Sequence, residues 1–146
     1  MKAVIQVVKS AQLSVDDKLI SKIGQGLVVF FCVEKDDNEE KIDFFAKKIA
    51  NLRLFSDENG KTNLSVKDVG GEVLIVSQFT LAGDCQHGNR PSFSTAEDPQ
   101  RANMIYEKLC EVAKTTYGLT VKKGVFGADM KILQLNDGPF TVLLEK

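Results

Sequence analysis

The pattern of apolar and polar residues predicts a chain that begins and ends in strands and carries two helices in between. Residues 1–9 and 12–15 have the composition of strands, and a turn at 16–18 leads into another strand at 19–23. Residues 27–33 form an apolar run without alternation, rich in β-branched and aromatic side chains, which is typical of a strand buried on both faces. We therefore expect residues 27–33 to form a central strand.

Two segments repeat apolar residues at helical spacing. Residues 38–51 follow Asp37, and the spacing of Asp37 and Glu40 resembles a capping box. Pro99 suits the first position of a second helix, which is expected to run to about residue 117 and to stop at Gly118. The side chains expected to face the core are Ile42, Phe45, Ala46, Ile49 and Leu52 in the first helix and Ala102, Ile105, Tyr106, Leu109, Cys110 and Ala113 in the second.

Shorter strands and turns fill the rest of the chain. Strands are predicted at residues 53–56, 72–78, 119–122, 131–135 and 140–144, and a turn is predicted at 57–60. Residues 82–96 are polar and contain glycine, which is typical of a functional loop or lid. The predicted fold is a single α+β domain over residues 1–146, with a mainly antiparallel, strongly curved sheet or partial barrel and two helices on one side.

Charge and hydropathy restrict the class of protein. The formal net charge of -1 argues against binding long nucleic acid by bulk electrostatics, because such binding needs many Lys and Arg contacts to phosphate. A contact with the end of a nucleic acid stays open, and the pair Lys122 and Lys123 could meet phosphate. The apolar run at 27–33 is far shorter than the roughly 20 residues that span a bilayer, and the start lacks a signal-peptide pattern. We expect a cytoplasmic protein that does not bind membranes.

The three cysteines and the single histidine offer little catalytic chemistry. Cys32, Cys85 and Cys110 are widely spaced and form no CxxC pair, so neither a disulfide framework nor a zinc site is expected. Cys32 and Cys110 are predicted to be core residues. Cys85 lies in a polar stretch two residues from His87, where an exposed loop is a commoner interpretation than a nucleophile and its base. We expect no cofactor and no metal.

Two short stretches remain as candidate chemistry. Ser77, Gln78, Phe79 and Thr80 end an apolar run with hydroxyls and an amide, which could position an ester and present backbone N–H groups to an oxyanion. On composition alone an ordinary strand end is the commoner interpretation. Residues 136–139, Asn-Asp-Gly-Pro, lie between two apolar runs and indicate first of all a hairpin turn.

Six blocks along the chain, taken together, resemble the D-aminoacyl-tRNA deacylase family. They are MKAVIQ at 1–6, NLRLF at 51–55, SQFTL at 77–81, RPSF at 90–93, FGADM at 126–130 and NDGPFT at 136–141. Six blocks in one order make the resemblance specific, whereas either of the two site motifs alone would be weak. It covers essentially the whole chain.

The resemblance implies a homodimeric proofreading enzyme. Such an enzyme hydrolyses the ester joining a D-amino acid to the terminal adenosine of tRNA, and also clears glycine from alanine tRNA. The Gly138–Pro139 peptide is implied to be cis and to enter the pocket of the other subunit, where its carbonyls would exclude an L side chain. Asn136, Thr141, Met130 and Phe126 belong to the matching blocks and are implied to bind the substrate.

The same resemblance implies roles for the strand-end residues. Ser77, Gln78, Phe79 and Thr80 would line the pocket, with Gln78 fixing the adenosine and two backbone N–H groups polarising the ester carbonyl. Thr80 is either a nucleophile or a positioning group. In the second case the 2'-hydroxyl of the tRNA adenosine assists water, and we prefer this account because no base for Thr80 is evident.

The chain departs from the family pattern at Val7 and at Phe140. Val7 stands where the family usually has an arginine that orients the Gly-Pro pair, and Phe140 replaces the usual valine. The SQFT and NDGP blocks favour the D-specific branch, but Val7 keeps open a related branch with a trans Gly-Pro, which acts on L-alanine mischarged on threonine tRNA. A non-catalytic module that binds tRNA ends, and a small thioesterase-like ester hydrolase, are the alternatives from other classes.

Overall fold

A computed structural model describes residues 1–146 as eight strands, two α-helices and one 3-10 turn. The elements are β1 (Lys2–Val15), β2 (Lys18–Ile23), β3 (Gly26–Cys32), α1 (Glu40–Asn51), β4 (Phe55–Ser56), β5 (Thr62–Leu64), β6 (Glu72–Ser77), the 3-10 turn (Phe79–Ala82), α2 (Pro99–Thr115), β7 (Thr120–Lys123) and β8 (Met130–Glu145). Neither helix has the length and apolar character that crossing a bilayer requires. The predicted α+β class with two helices is confirmed.

Strand β1 organises the main sheet. It pairs antiparallel with β8 along its whole length, with β3 through its first half and with β2 through its second half. β3 pairs parallel with β6, and β6 pairs parallel with β7. The strand order β2-β1-β3-β6-β7 makes β3 central, as its unbroken apolar run predicts. The sheet is therefore mixed, because three of its strands run parallel.

The sheet curls until β2 returns to the far edge, as expected for a partial barrel. The Ser21 hydroxyl donates to the Lys123 carbonyl at 2.6 Å, and the Gly24 N–H donates to the Glu72 carboxylate at 2.8 Å. One apolar cluster fills the space between the sheet and the helices, and a smaller cluster around Leu13 lies inside the curl. The two clusters bury both faces of β3 and β6.

The Asn-Asp-Gly-Pro segment does not form the predicted hairpin. Residues 130–145 are one strand, and residues 137–140 bulge out of it opposite Val7, between the pairs Gln6–Thr141 and Val8–Asn136. The hairpin prediction is wrong because β8 finds the same partner, β1, on both sides of the segment. Local turn chemistry thus yields a wide bulge within a continuous ladder.

The predicted cis bond between Gly138 and Pro139 is also wrong, because the chain has no cis peptide bond. Gly138 adopts a φ of 115°, a region open to glycine, and this supplies the change of direction that the bulge needs. Pro139 has no N–H to contribute to a ladder, and its place in the bulge therefore sacrifices no strand pairing. The Gly138–Pro139 peptide bond within the bulge is therefore trans.

The two helices begin differently from each other. Asp98 accepts from the backbone N–H groups of Gln100 and Arg101, at 2.9 and 3.4 Å, so it caps α2, with Pro99 in the first position as predicted. The predicted capping box at α1 is wrong. Asp37 does not cap α1, because its carboxylate accepts from the Glu34 N–H and pairs with the ammonium groups of Met1 and Lys41.

Asp37 is the buried anion on which the start of β1 and the start of α1 converge. Its side chain is only 4% exposed, and its carboxylate lies 2.5 Å from the Met1 ammonium and 2.5 Å from the Lys41 ammonium. Burial works to raise the pKa of Asp37, but the hydrogen bonds from Lys41, the Met1 amine and the Glu34 N–H outweigh it and lower that pKa. Folding therefore favours the carboxylate.

We expect Asp37→Asn to lower the free energy of unfolding at neutral pH by about 2 kcal/mol, since it removes charged hydrogen bonds in a buried site. The folded pKa of Asp37 lies below the unfolded value, so its stabilisation is present above about pH 4 and fades as pH falls through the folded pKa. Urea unfolding of both proteins from pH 7 to pH 3 measures the difference. A difference that stays constant over this range would contradict the assignment.

Candidate active site

The site begins where β6 leaves the sheet. Ser77 is the last residue of β6 and is half-buried, and the Gln78 N–H continues the pairing by donating to the Phe31 carbonyl at 2.7 Å. The chain then enters the 3-10 turn, in which Leu81 N–H donates to Gln78 O and Gly83 N–H donates to Thr80 O. The polar motif thus occupies a strand end followed by a tight turn.

A cavity of about 490 Å³ opens beside this strand end. Its walls come from β3, from the end of β6, from the start of α2 and from the segment that leads into β8. The lining is mostly apolar and consists of Phe31, Cys32, Val33, Val76, Ser77, Gln78, Phe79, Ala96, Glu97, Pro99, Ala102, Tyr106, Phe126, Gly127, Ala128, Asp129, Met130 and Ile132. An apolar cleft with a few polar groups at one wall is the usual form of a small-molecule site.

The structure brings together five of the predicted site residues. Ser77, Gln78, Phe79, Phe126 and Met130 all line this cavity. The first three come from the end of β6 and the start of the 3-10 turn, and the last two from the FGADM block, at least 47 residues farther along the chain. Their convergence agrees with the predicted pocket.

Thr80 lies next to the cavity and carries an oriented but unactivated hydroxyl. Its Oγ1 accepts a hydrogen bond from the Gln78 side-chain amide. An amide cannot take the hydroxyl proton, and the only histidine, His87, is engaged elsewhere. The geometry suits a residue that positions groups, and it offers no support for a nucleophile.

The N–H groups of Phe79 and Thr80 stand at the start of the 3-10 turn. The turn's own hydrogen bonds are donated from Leu81 onward, and the first N–H groups of any helical turn have no partner within it. Two adjacent donors beside an apolar cavity can bind a carbonyl oxygen that gains negative charge. Donors of this kind can polarise the carbonyl group of an ester.

Tyr106 and Cys32 are neutral side chains in the cavity wall. The Tyr106 hydroxyl donates to the Ile75 carbonyl at 2.9 Å, and burial raises its pKa, so it stays protonated. Burial raises the pKa of Cys32 to about 11, and its thiol lies 3.6 Å from the Phe79 carbonyl oxygen as a donor. Cys32 is thus a buried thiol, as predicted, and it lacks the thiolate character of a nucleophile. Cys110 is likewise buried, with a pKa raised to about 12.

The residues of the second motif lie away from this cavity within one chain. Gly138 lines a separate cavity of about 200 Å³, which it shares with Val7, Phe140 and side chains between α1 and β5. Pro139 is exposed. Val7 is only 4% exposed, so the position that usually carries arginine here belongs to the core.

Asn136 and Thr141 flank the bulge and share one hydrogen-bond network. The Gln6 amide donates to the Thr141 hydroxyl at 3.2 Å. The Gln134 amide donates to Gln6 Oε1 at 2.7 Å and to Asn136 Oδ1 at 2.8 Å. The network ties the two sides of the bulge to β1, so Asn136 and Thr141 fix its shape and do not reach the larger cavity.

The loop after the 3-10 turn does not form a Cys-His pair. The His87 ring nitrogen Nδ1 lies 3.1 Å from the Asp84 carboxylate, while the exposed Cys85 thiol points toward the Gly83 carbonyl. The Gln86 N–H and the His87 ring hold the pKa of Asp84 below its usual range. The three side chains form a surface turn, in agreement with the exposed-loop interpretation.

The charged candidates are spread over the surface. Lys123 pairs with Glu107, and this hydrogen bond raises the pKa of Lys123. Lys131 pairs with Asp129 at 2.8 Å at the edge of the cavity. The chain has no group of three or more His, Cys, Asp or Glu side chains placed to hold a metal ion.

Sequence reasoning missed the contribution of α2 to the site. Pro99, Ala102 and Tyr106 line the cavity, whereas helical spacing places the last two simply in the core. Their second role depends on how α2 packs across the end of β6. The one sequence feature that could have indicated this contribution is the position of Pro99 at the start of a helix, directly after a polar loop.

Known proteins match this chain over nearly its whole length. A family model described as D-Tyr-tRNA(Tyr) deacylase matches residues 4–145. D-aminoacyl-tRNA deacylase of Thermosipho africanus (strain TCF52B) is 52% identical over 145 residues, which cover 99% of this chain and 97% of that protein. D-aminoacyl-tRNA deacylase of Clostridioides difficile (strain 630) is 49% identical, with 99% and 97% covered.

Solved structures agree with these matches. A structure described as c-Myc DNA Unwinding Element Binding Protein has a TM-score of 0.95 at 40% identity, and the match covers 100% of this chain and 99% of that one. A probable eukaryotic D-amino acid tRNA deacylase has a TM-score of 0.85 at 17% identity, with 98% and 97% covered, and shares the fold. The resemblance drawn from the six sequence blocks is confirmed, and the chain belongs to the D-Tyr-tRNA(Tyr) deacylase family.

Proposed function

We propose that this protein hydrolyses the ester between a D-amino acid and the terminal adenosine of tRNA, releasing free amino acid and tRNA. Family membership supports the reaction. The single observation that supports the place of the reaction is the convergence of Ser77, Gln78 and Phe79 with the FGADM block around one apolar cavity. The cavity would hold the aminoacyl group, and the strand end would hold the adenosine.

The chemistry assigned to this wall is positioning and polarisation. The Phe79 and Thr80 N–H groups would bind the ester carbonyl oxygen as it gains charge, and the Gln78 amide would hold the ribose or base. Water, assisted by the 2'-hydroxyl of the adenosine, would attack the carbonyl carbon, and the 3'-oxygen would leave with a proton. The protein supplies no base in this scheme, because the two carboxylates that line the cavity, Glu97 and Asp129, are paired with Arg101 and Lys131.

Thr80 gives a direct test of that scheme. We expect Thr80→Ala to retain deacylation within about tenfold of the native rate, since removing one neutral hydrogen bond costs about 1 kcal/mol. Single-turnover hydrolysis of a D-aminoacyl-tRNA measures the rate constant, and substrate binding is measured separately. A loss of several thousand-fold with binding intact would instead identify Thr80 as the nucleophile.

Deacylation of matched substrates tests the proposed function itself. D-aminoacyl-tRNA and L-aminoacyl-tRNA carrying the same side chain should differ in rate, and glycine on alanine tRNA should be hydrolysed because it has no side chain to exclude. If none of these substrates is hydrolysed, the proposed activity is wrong and the alternative of a non-catalytic module that binds tRNA ends is favoured. Equal turnover of the D and L substrates would exclude chiral selection.

We also propose that the protein works as a homodimer in which the 137–140 bulge of one protomer approaches the cavity of the other. Two observations support this arrangement: Pro139 is exposed, and the bulge shares no cavity with the Ser77–Phe79 wall within one chain. The cis geometry implied by the resemblance forms no part of the proposal. Sedimentation velocity tests the dimer, and a monomer at working concentration would contradict it.

A second candidate is the related activity on L-alanine mischarged on threonine tRNA. The trans Gly138–Pro139 bond and the buried Val7 are the features of this chain that favour it. The same substrate series separates the two candidates, because this activity requires L-alanyl-tRNA(Thr) to be hydrolysed faster than the D substrate.

A further inference from the structure

Two aromatic side chains in contact are exposed at the rim of the larger cavity. Phe79 is 58% exposed and Phe93 is 37% exposed, and their ring centroids lie 5.2 Å apart with an interplanar angle of 71°. We call them the aromatic pair. Single exposed apolar residues need no explanation, but two contacting rings beside a cavity mark a surface that binds something.

The aromatic pair is held in place from the Phe93 side. The Thr95 hydroxyl donates to the Ala82 carbonyl at 2.9 Å, and Asp84 and Ser92 exchange two backbone hydrogen bonds of 2.7 and 3.0 Å. These contacts fasten the loop to the 3-10 turn that carries Phe79. A surface that is already rigid loses less conformational entropy on binding than a mobile one, and this favours binding.

The surroundings of the aromatic pair favour a nucleobase as the occupant. Phe79 itself lines the cavity, so the pair lies next to the strand end that is assigned to the terminal adenosine. Arg90 is exposed and lies three residues before Phe93 in the same loop, so this loop also carries a positive charge. Aromatic faces together with basic side chains are the usual means of binding single-stranded nucleic acid.

A second copy of the chain fits this surface less well. The other exposed large apolar side chains on the sheet are aliphatic and lie on β2 and β8, at Leu19, Ile20, Leu133, Leu135 and Leu143. The residues around Phe93, by contrast, are exposed and polar, and include Ser92 and Ser94. A small aromatic surface within a polar loop suits a planar base better than a protein interface.

We propose that the aromatic pair is a stacking site for the nucleobase that immediately precedes the terminal adenosine of the tRNA. The inference rests on the proposed function for the choice of ligand. The site would extend recognition by one nucleotide beyond the aminoacyl-adenosine and would tolerate any base, because every base presents a flat face.

A short RNA with 2-aminopurine in the penultimate position and a 3'-terminal adenosine tests the proposal without any hydrolysis. Stacking quenches 2-aminopurine, so the native protein should quench its fluorescence on binding. Phe93→Ala should remove most of the quenching and raise the Kd roughly tenfold, within the range measured for base stacking on aromatic residues. Phe93→Trp should restore both, and Met104→Ala, an exposed apolar change on α2, should alter neither.

Quenching that persists in Phe93→Ala, or is absent with the native protein at saturation, would overturn the stacking site. A change in the sedimentation of Phe93→Ala would also overturn it, because the ring would then lie between copies of the chain. The unacylated RNA keeps this test separate from deacylation. A protein that quenches the probe but hydrolyses no ester would retain the site and lose the proposed function.

Discussion

Gly26→Ala is expected to lower the free energy of unfolding by about 4 kcal/mol, a large part of the stability of a domain of this size. A Cβ at Gly26 would lie 1.8 Å from the Glu72 carbonyl oxygen and 2.7 Å from its carbon. Gly26 and Glu72 are paired across the parallel ladder of β3 and β6, two interior strands of the sheet. The colliding atoms are backbone atoms, so the strands themselves must separate.

Gly24→Ala is the matched control for this change. A Cβ at Gly24 would have the Glu72 carboxylate oxygen at 3.7 Å as its nearest atom, which is an ordinary contact. Urea unfolding should place Gly24→Ala within about 0.5 kcal/mol of the native protein. Equal stability of the two variants would mean that β3 and β6 lie too far apart at Gly26 for a Cβ to meet the Glu72 backbone.

The fold was predictable from sequence wherever one element decides its own structure. The unbroken apolar run of β3 and the helical spacing of α1 and α2 follow from burial on particular faces, and both were correctly assigned. Strand partners were not predictable. The parallel pairing of β3, β6 and β7 depends on which strands meet after folding, and hydrophobic period carries no information about that.

The 137–140 bulge illustrates how tertiary pairing overrides a local signal. Asn136, Asp137 and Gly138 have the chemistry of a tight turn, and an isolated peptide would favour one. In the folded chain β1 is 14 residues long, and β8 pairs along one of its edges on both sides of the bulge. The ladder therefore continues, and the turn residues become an outward bulge.

The site was predictable only in part. The resemblance identified the Ser77–Phe79 wall and the Phe126 and Met130 wall, and the structure brings them to one cavity. It did not identify the contribution of Tyr106, whose apolar neighbours give it the signature of a core residue. A cavity forms between elements, so the wall that α2 contributes depends on how α2 packs across the end of β6, which the sequence pattern does not reveal.

Gly83→Ala is expected to lower the deacylation rate constant about 100-fold while the protein remains folded. A Cβ at Gly83 would lie 2.9 Å from the Thr80 carbonyl oxygen and 2.9 Å from Cε1 of the Phe93 ring. The ring can give way, but the carbonyl belongs to the 3-10 turn that presents the Phe79 and Thr80 N–H groups. A misplacement of the reacting groups by about 1 Å can cost about 100-fold in rate.

The φ of Gly83 is -66°, so alanine meets no backbone strain there and stability should change by less than about 1 kcal/mol. Single-turnover deacylation and urea unfolding of the same preparation separate the two effects. Cys85→Ala, an exposed change two residues later in the same loop, should keep the native rate within twofold. A Gly83→Ala enzyme as fast as Cys85→Ala would show that the 3-10 turn does not hold the reacting ester, and the polarising donors would have to be sought elsewhere on the cavity wall.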